Sequence, residues 1–441
     1  MAGFSFLGSS VKCDGVDLST IADREGTPVY VYSRRCLEQR YAALADSLRG
    51  HTHRIHYALK ANSTFGLVQV IQELGSGVDA NSGSEISVAL RAGFSPEDVV
   101  FTGVGKTQTE LELALSVGVD TINAESSGEL DRIDLLARAR GVQARVAVRV
   151  NPDVDAESHP GISTGSRSHK FGVPIERARD VCLEAASRDG LKLVGLHAHI
   201  GSQIVNLDPI RRTAKIIVDF ARELRSDGIV LEQLDLGGGL GISYDGANVL
   251  SVEDYASSVL REVVPSGLKL LVEPGRWIVG PSGLLVTRVV DVKHHMGNRY
   301  FVIVDAGMSE FMRPALYDSF HRVDLLSSRQ EPKVECDIVG PICESTDVLA
   351  LKRLMPLPVV GDLIAVRDVG AYGSAMASNY NRHSLPAEVL VETDGWRLIR
   401  RRQTVDDLLS CETKSATVGG SGTFSSKTNR SGSISPGGLA E

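Results

Sequence analysis

The chain is expected to be an α/β protein in which a (β/α)8 barrel of the TIM type carries a second, all-β domain of sandwich or barrel form and a disordered C-terminal tail. Three observations lead there. Eight short apolar runs alternate with amphipathic stretches between residues 54 and 275, closely spaced β-like segments follow from about residue 284, and the last thirty residues are rich in Ser, Gly and Thr. With 441 residues, 42% of them hydrophobic, the chain can bury a large core and is long enough for two domains or for a barrel with an extension.

The eight runs are RIHYALK (54–60), GVDANS (77–82), DVVFTGV (98–104), TINAES (121–126), ARVAVRVN (144–151), KLVGLHAHI (192–200), VLEQLDLGGG (230–239) and KLLVEPGRW (269–277). Between them lie stretches such as FGLVQVIQELG and PIRRTAKIIVDFARELRSDG, with apolar residues at helical spacing and glycine at the stop. Parallel strands buried on both faces read as continuous apolar runs, and eight such units in series close a barrel. Fewer would suggest an open doubly wound sheet. Residues 34–283 are therefore assigned to the barrel.

Beyond it, LLVTRVVDVKHH, RYFVIVDAG, KVECDIVG, DLIAVRDVG and AEVLVETDGWRLI are short β-like segments separated by turn signals, and residues 284–411 form the β-domain. TPVYVYS (27–33) is a strand before the helix CLEQRYAALADSLRG, so residues 1–33 are expected to join that β-domain across space. Residues 412–441 have few large apolar side chains to offset the entropy of ordering and are expected to be disordered.

A net charge of −8 without a run of Lys and Arg argues against a nucleic-acid partner, and RLIRRR (397–402) reads as a solvated strand edge. No apolar run reaches the ~20 residues that span a bilayer, and the N-terminus lacks a signal pattern, so a cytoplasmic protein is expected. Cys13, Cys36, Cys182, Cys336, Cys343 and Cys411 show no metal spacing and are expected to be free thiols, with no metal bound.

Barrel chemistry sits at the C-terminal ends of the strands. There the sequence places Lys60, Asp79, Asn81, Asn123, Glu125, Arg149, Asn151, His199 and Ser202, then Gly237, Gly238 and Gly239, and finally Glu273, Pro274, Gly275 and Arg276. Three glycines after strand seven let the backbone approach an anion, and EPGR after strand eight adds amides and a guanidinium, which suits a phosphate. A ligand-free turn is the alternative for the glycines alone. A phosphate site, a lysine and a carboxylate together fit pyridoxal 5′-phosphate, which needs an anchored phosphate, an amine for covalent attachment and a partner for its ring nitrogen, here Glu273. His199 is placed against the ring face and Ser202 near the phosphate, although a buried histidine is more often a hydrogen-bonded core residue. His197 is read as structural.

This combination resembles the fold-type III pyridoxal 5′-phosphate-dependent decarboxylases, which have an alanine racemase-like barrel and an appended β-domain. The resemblance covers roughly residues 15–410. The segments VDAGMSEFMRPALYD, GPICESTD and GAYGSAMASNYN are similar, in register and order, to those of the meso-diaminopimelate decarboxylases. It implies that Lys60 attaches the cofactor, that Gly239 and Glu273 to Arg276 hold it, and that Tyr372 adds a hydroxyl at the phosphate. It further implies that Arg276, Arg313, Tyr317 and Glu344 bind substrate, the guanidiniums suiting a distal carboxylate and Glu344 a distal ammonium. Cys343 would return a proton to the α-carbon across a homodimer interface, serving the partner's Lys60. Arg313 could instead be a surface turn residue, Cys343 a buried small hydrophobe and Tyr372 a packed aromatic. To take part, Lys60 must be a neutral or Schiff-base nitrogen, which a partly desolvated site is expected to promote.

Decarboxylation of meso-2,6-diaminopimelate to L-lysine, the last step of lysine biosynthesis, is thus the expected activity. A decarboxylase of ornithine, arginine or a polyamine precursor would have less use for two arginines at a distal carboxylate. A racemase would more readily place an arginine at the ring nitrogen, and a non-catalytic cofactor carrier would have lost Lys60 or Cys343. The roles of Asp79, Asn81, Arg149 and Asn151 stay open.

Overall fold

The computed structural model describes residues 3–6, 11–156, 164–165, 170–294, 297, 299–327, 331–393 and 395–412. All but the first residue of the expected tail, 412–441, lies outside them.

Each apolar run contains one strand of a closed parallel barrel: His53–Ala58, Gly77–Ala80, Val99–Phe101, Thr121–Ala124, Ala144–Asn151, Leu191–His197, Gln233–Asp235 and Lys269–Val272. They pair in chain order, and the eighth returns to the first through Leu270 beside His53. Except for Ala144–Asn151, which fills its run, the strands end before the apolar runs do, because the last residues of the run leave the ladder to form the barrel mouth. Lys60, for example, lies in the turn Leu59–Ala61 after the first strand.

Helices start where the sequence supplies a cap. Ser82 accepts from the Glu85 amide, Ser126 from that of Glu129, and Thr107 with Glu110 forms a capping box. The eighth strand departs from the rhythm, since only the four-residue helix Arg276–Val279 follows it. Arg34–Ser47 packs beside that short helix: Arg40 donates to the Trp277 carbonyl at 2.8 Å and its guanidinium stacks 3.2 Å from the Trp277 ring centroid.

The second sheet contains Gly283–His294, Arg299–Val304, Lys333–Val339, Val348–Pro356, Ala387–Glu392 and Gly395–Arg400, with Val29–Ser33 between Gly283–His294 and Ala387–Glu392. Alternation along Val29–Ser33 explains its place: Tyr30 and Tyr32 join the main core, whereas Val29 and Val31 pack with Leu18, Ile21, Leu284 and Val389 in a second cluster. Val348–Pro356 was not anticipated. It is an edge strand whose Leu351 and Leu354 are exposed, so it lacks the apolar run that marks a buried strand. Gly395–Arg400, which contains most of the basic stretch, is the opposite edge. No helix among the described residues is long and apolar enough to cross a membrane. All six cysteines are free thiols; Cys343 and Cys411 are exposed and the others buried.

Candidate active site

The strand ends converge on one cavity of about 290 Å³, near the lower end for ligand pockets. Lys60, His199, Ser202 and Glu273 line it from the barrel, Arg276 from the short helix, and Arg313, Tyr317 and Tyr372 from the segments of the β-domain. The turn that carries the lysine is clamped from both sides. Asn62 donates to Tyr32 Oη and to the Gly370 carbonyl, each at 3.0 Å, while the Tyr372 amide donates to the Ala61 carbonyl at 2.8 Å. Fully buried Glu388 accepts from Tyr32 at 2.6 Å and from Ser374 at 3.0 Å, so the Lys60 turn and the Tyr372 loop share one polar anchor.

Lys60 Nζ lies 3.4 Å from Asp79 Oδ2, and Asn81 Nδ2 in turn holds Asp79 at 3.0 Å. Burial works against the ammonium, but the Asp79 and Glu273 carboxylates outweigh it and hold the pKa above the usual lysine value. Desolvation therefore does not promote a neutral free amine at Lys60 as expected, because the desolvating walls are themselves acidic, and the Schiff-base alternative stands. His199 behaves in the opposite way. Burial, with the charges of Lys60 and Arg149, keeps its ring neutral, and its Nδ1 accepts the Gly238 amide at 3.2 Å.

Glu273, only 3% exposed, meets His197 Nε2 at 3.4 Å and Thr102 Oγ1 at 3.4 Å. Burial opposes its ionisation, yet His197 and then the Lys60 charge hold the carboxyl well below the usual range. His197, read as structural, therefore lies inside the site; its period-two spacing from His199 was the available signal. Tyr244 and His321 were also missed, because they lie in segments without periodicity. Tyr244 accepts from Arg276, and the His321 ring packs edge-on to Tyr244 with centroids 4.6 Å apart.

Arg276 and Arg313 are each 5% exposed, which removes the surface-turn reading of Arg313. Arg276 donates to Ser202 Oγ at 2.9 Å, and Arg313 Nε lies 3.4 Å from His321 Nε2. Among the described residues neither guanidinium has a carboxylate partner. Arg149, by contrast, pairs with Glu125 Oε1 at 2.5 Å. Asn151 stays at the rim, where its Oδ1 accepts the Asp153 amide at 3.1 Å.

The glycines have a packing role of their own. A Cβ on Gly238 would lie 2.2 Å from the Glu273 carbonyl, and one on Gly239 2.5 Å from that of Gly201. The Gly237 amide is used by Asp235 Oδ1 and that of Gly238 by His199, so of the three glycine amides only that of Gly239 is left for an anion, beside the first turn of Arg276–Val279. Pro274 accepts the Ala58 amide at 3.3 Å and ties strand eight to strand one. Cys343 and Glu344 do not line the cavity of their own chain. Both are exposed, so Cys343 is not a buried hydrophobe. Their loop is firmly held, since buried Asp347 accepts the Met308 amide at 2.6 Å and the Ile342 amide at 2.7 Å.

Residues 34–280 match the family model described as "Pyridoxal-dependent decarboxylase, pyridoxal binding domain". The chain belongs to the pyridoxal-dependent decarboxylases. Within this family it is 44% identical to the diaminopimelate decarboxylase of Pseudomonas aeruginosa, over 93% of this chain and 99% of that protein. A solved diaminopimelate decarboxylase from Helicobacter pylori complexed with L-lysine is 39% identical, with a TM-score of 0.87 over 90% of this chain and 99% of that one. Another, from M. jannaschii in co-complex with L-lysine, has a TM-score of 0.90 at 33% identity, over 94% and 99%.

The family's cofactor is pyridoxal 5′-phosphate, and the residues present fit it. An ionised carboxylate, a flat neutral imidazole, an amine and the Ser202 and Tyr372 hydroxyls supply different partners for one small anionic ring, all around the same cavity.

His321 also gives a measurable acid response. Burial and the Arg313 charge depress its pKa from 6.5 to about 3. The unfolded chain therefore takes up this proton first as pH falls, and stability is lost between pH 6.5 and about 3. His56, lowered to about 4, acts in the same direction, whereas Glu85, raised to about 7, opposes it. Comparison with His321→Gln isolates the effect. Wild type should lose about 1.4 kcal/mol per pH unit relative to the variant across that window, measured by denaturant titration. Parallel stability curves would contradict it.

Proposed function

We propose that the chain is a cytoplasmic homodimeric decarboxylase that converts meso-2,6-diaminopimelate to L-lysine and carbon dioxide. The observation that carries this reading is the pair of buried guanidiniums, Arg276 and Arg313, which have no carboxylate partner among the described residues and stand beside the cavity that also holds Lys60 and Glu273. Burying unpaired charge costs several kcal/mol, and a substrate with a second carboxylate offsets that cost. The L-lysine held by two solved relatives supports the choice, as it is the product of this reaction.

When bound, pyridoxal 5′-phosphate supplies an electron sink for the pair left at the α-carbon as carbon dioxide departs. Lys60 would provide the attachment amine. Glu273, held ionised, would keep the ring nitrogen protonated, while neutral His199 would pack against the ring without adding charge. Gly239, Gly275, the Arg276 amide, Ser202 and Tyr372 would hold the phosphate. Arg276, Arg313 and Tyr317 take the distal carboxylate, which fixes the reacting carboxylate in the orientation needed for bond cleavage. The partner's Glu344 receives the distal ammonium, and the partner's Cys343 returns a proton to the α-carbon.

The test is carbon dioxide release from meso-diaminopimelate, L-ornithine, L-arginine and L-lysine offered separately. Only the first should be turned over appreciably, and Arg313→Ala should lower its kcat/KM roughly 10- to 100-fold. Equal or faster turnover of ornithine or arginine would assign the site to the second reading.

A further inference from the structure

Behind Glu273 lies a buried group that the mechanism above leaves unused. Asp235 and His197 stand in register on adjacent parallel strands, so both side chains point into the barrel at the same level. They are 2% and 0% exposed, and one ligand atom each from His197, Asp235 and Glu273 lie within 4.8 Å of one another. Asp235 Oδ1 accepts the Gly237 amide at 2.9 Å, but no described donor reaches Oδ2 or His197 Nδ1. An Asp235 carboxyl oxygen therefore lies within 4.8 Å of a Glu273 carboxyl oxygen, in a place shut away from water. Two carboxylates buried this close repel one another unless one of them carries a proton, which also makes it a donor to the other. The three side chains could also offer ligands to a cation, but Glu273 would then be turned away from the ring nitrogen.

We propose that Asp235 and His197 are positioning residues acting through Glu273: Asp235 carries a proton and, with His197 Nε2–H, donates to the Glu273 carboxylate, which stays ionised and aimed at the ring nitrogen. The proton remains on Asp235 throughout, so no net transfer is required. Burial, and then the Glu273 charge, push the Asp235 carboxyl far above the usual range, in keeping with this assignment. The other titratable or charged groups that bear on the cluster are Lys60, Asp79, His56, His199 and Tyr255, and none of them is hydrogen-bonded to Asp235 among the described contacts.

This inference rests on Glu273 serving the ring nitrogen, and the test separates the two. Infrared difference spectra of cofactor-free wild type and Asp235→Asn at neutral pH should show a protonated-carboxyl stretch that only wild type has. In loaded protein, Asp235→Asn keeps a donor and should leave the absorption band of the bound cofactor constant across the neutral range, whereas Asp235→Ala should make it titrate. Absence of the protonated stretch from wild type, its persistence in Asp235→Asn, or a band that does not titrate in Asp235→Ala would each overturn the proposal. Should Asp235→Ala not fold, the wild-type infrared spectrum still decides. Glu273→Gln with an unchanged cofactor band would instead count against the ring-nitrogen reading and leave the infrared result standing.

Discussion

Lys60→Ala is expected to give a folded, colourless protein whose turnover is at least ~10³-fold lower. Folding should survive because the lysine amine makes one long contact, 3.4 Å to Asp79, whereas its turn is held by Asn62 and by the Tyr372 amide. Asp79 loses its counter-charge, but burial already raises its pKa, so the carboxyl can take up a proton instead of remaining an unpaired buried anion. Turnover should collapse because no other lysine among the described residues lines the cavity. Yellow Lys60→Ala protein with near-normal turnover would refute the assignment.

The second large effect concerns Cys343. As the proton donor it should be worth about 10²–10⁴-fold in turnover, and Cys343→Ala should retain its cofactor. Its exposure, outside the cavity of its own chain, makes a sharper experiment possible. If each site takes Lys60 from one chain and Cys343 from the other, mixing inactive Lys60→Ala with inactive Cys343→Ala creates hybrids with one intact site. Random reassociation should restore roughly a quarter of wild-type activity. No recovery in a mixture shown to contain hybrids would place both residues in the same chain's site or remove Cys343 from the chemistry.

The barrel was legible because strands buried on both faces leave unbroken apolar runs, and the eight runs gave both the count and the order. The replacement of an eighth long helix by Arg276–Val279 was not legible, since it depends on packing against Arg34–Ser47 from the other end of the barrel sequence. Strand ends pointed to Lys60, His199 and Glu273, while Arg313, Tyr317 and Tyr372 came from the resemblance of the later segments. His197 sat one period from a chosen residue yet was set aside, because nothing in the sequence reveals that its Nε2 faces Glu273. Electrostatics was the least legible part. The sign of the Lys60 shift depends on which wins, burial or the two nearby carboxylates, and that balance exists only in three dimensions.

Borohydride reduction of the loaded protein followed by peptide mapping tests the central claim most directly. The expected result is a single cofactor-derived mass on the peptide containing Lys60, blocked when meso-diaminopimelate is present during reduction. Label on another lysine, such as Lys106, or protein that cannot be labelled although it binds the cofactor, would contradict the account.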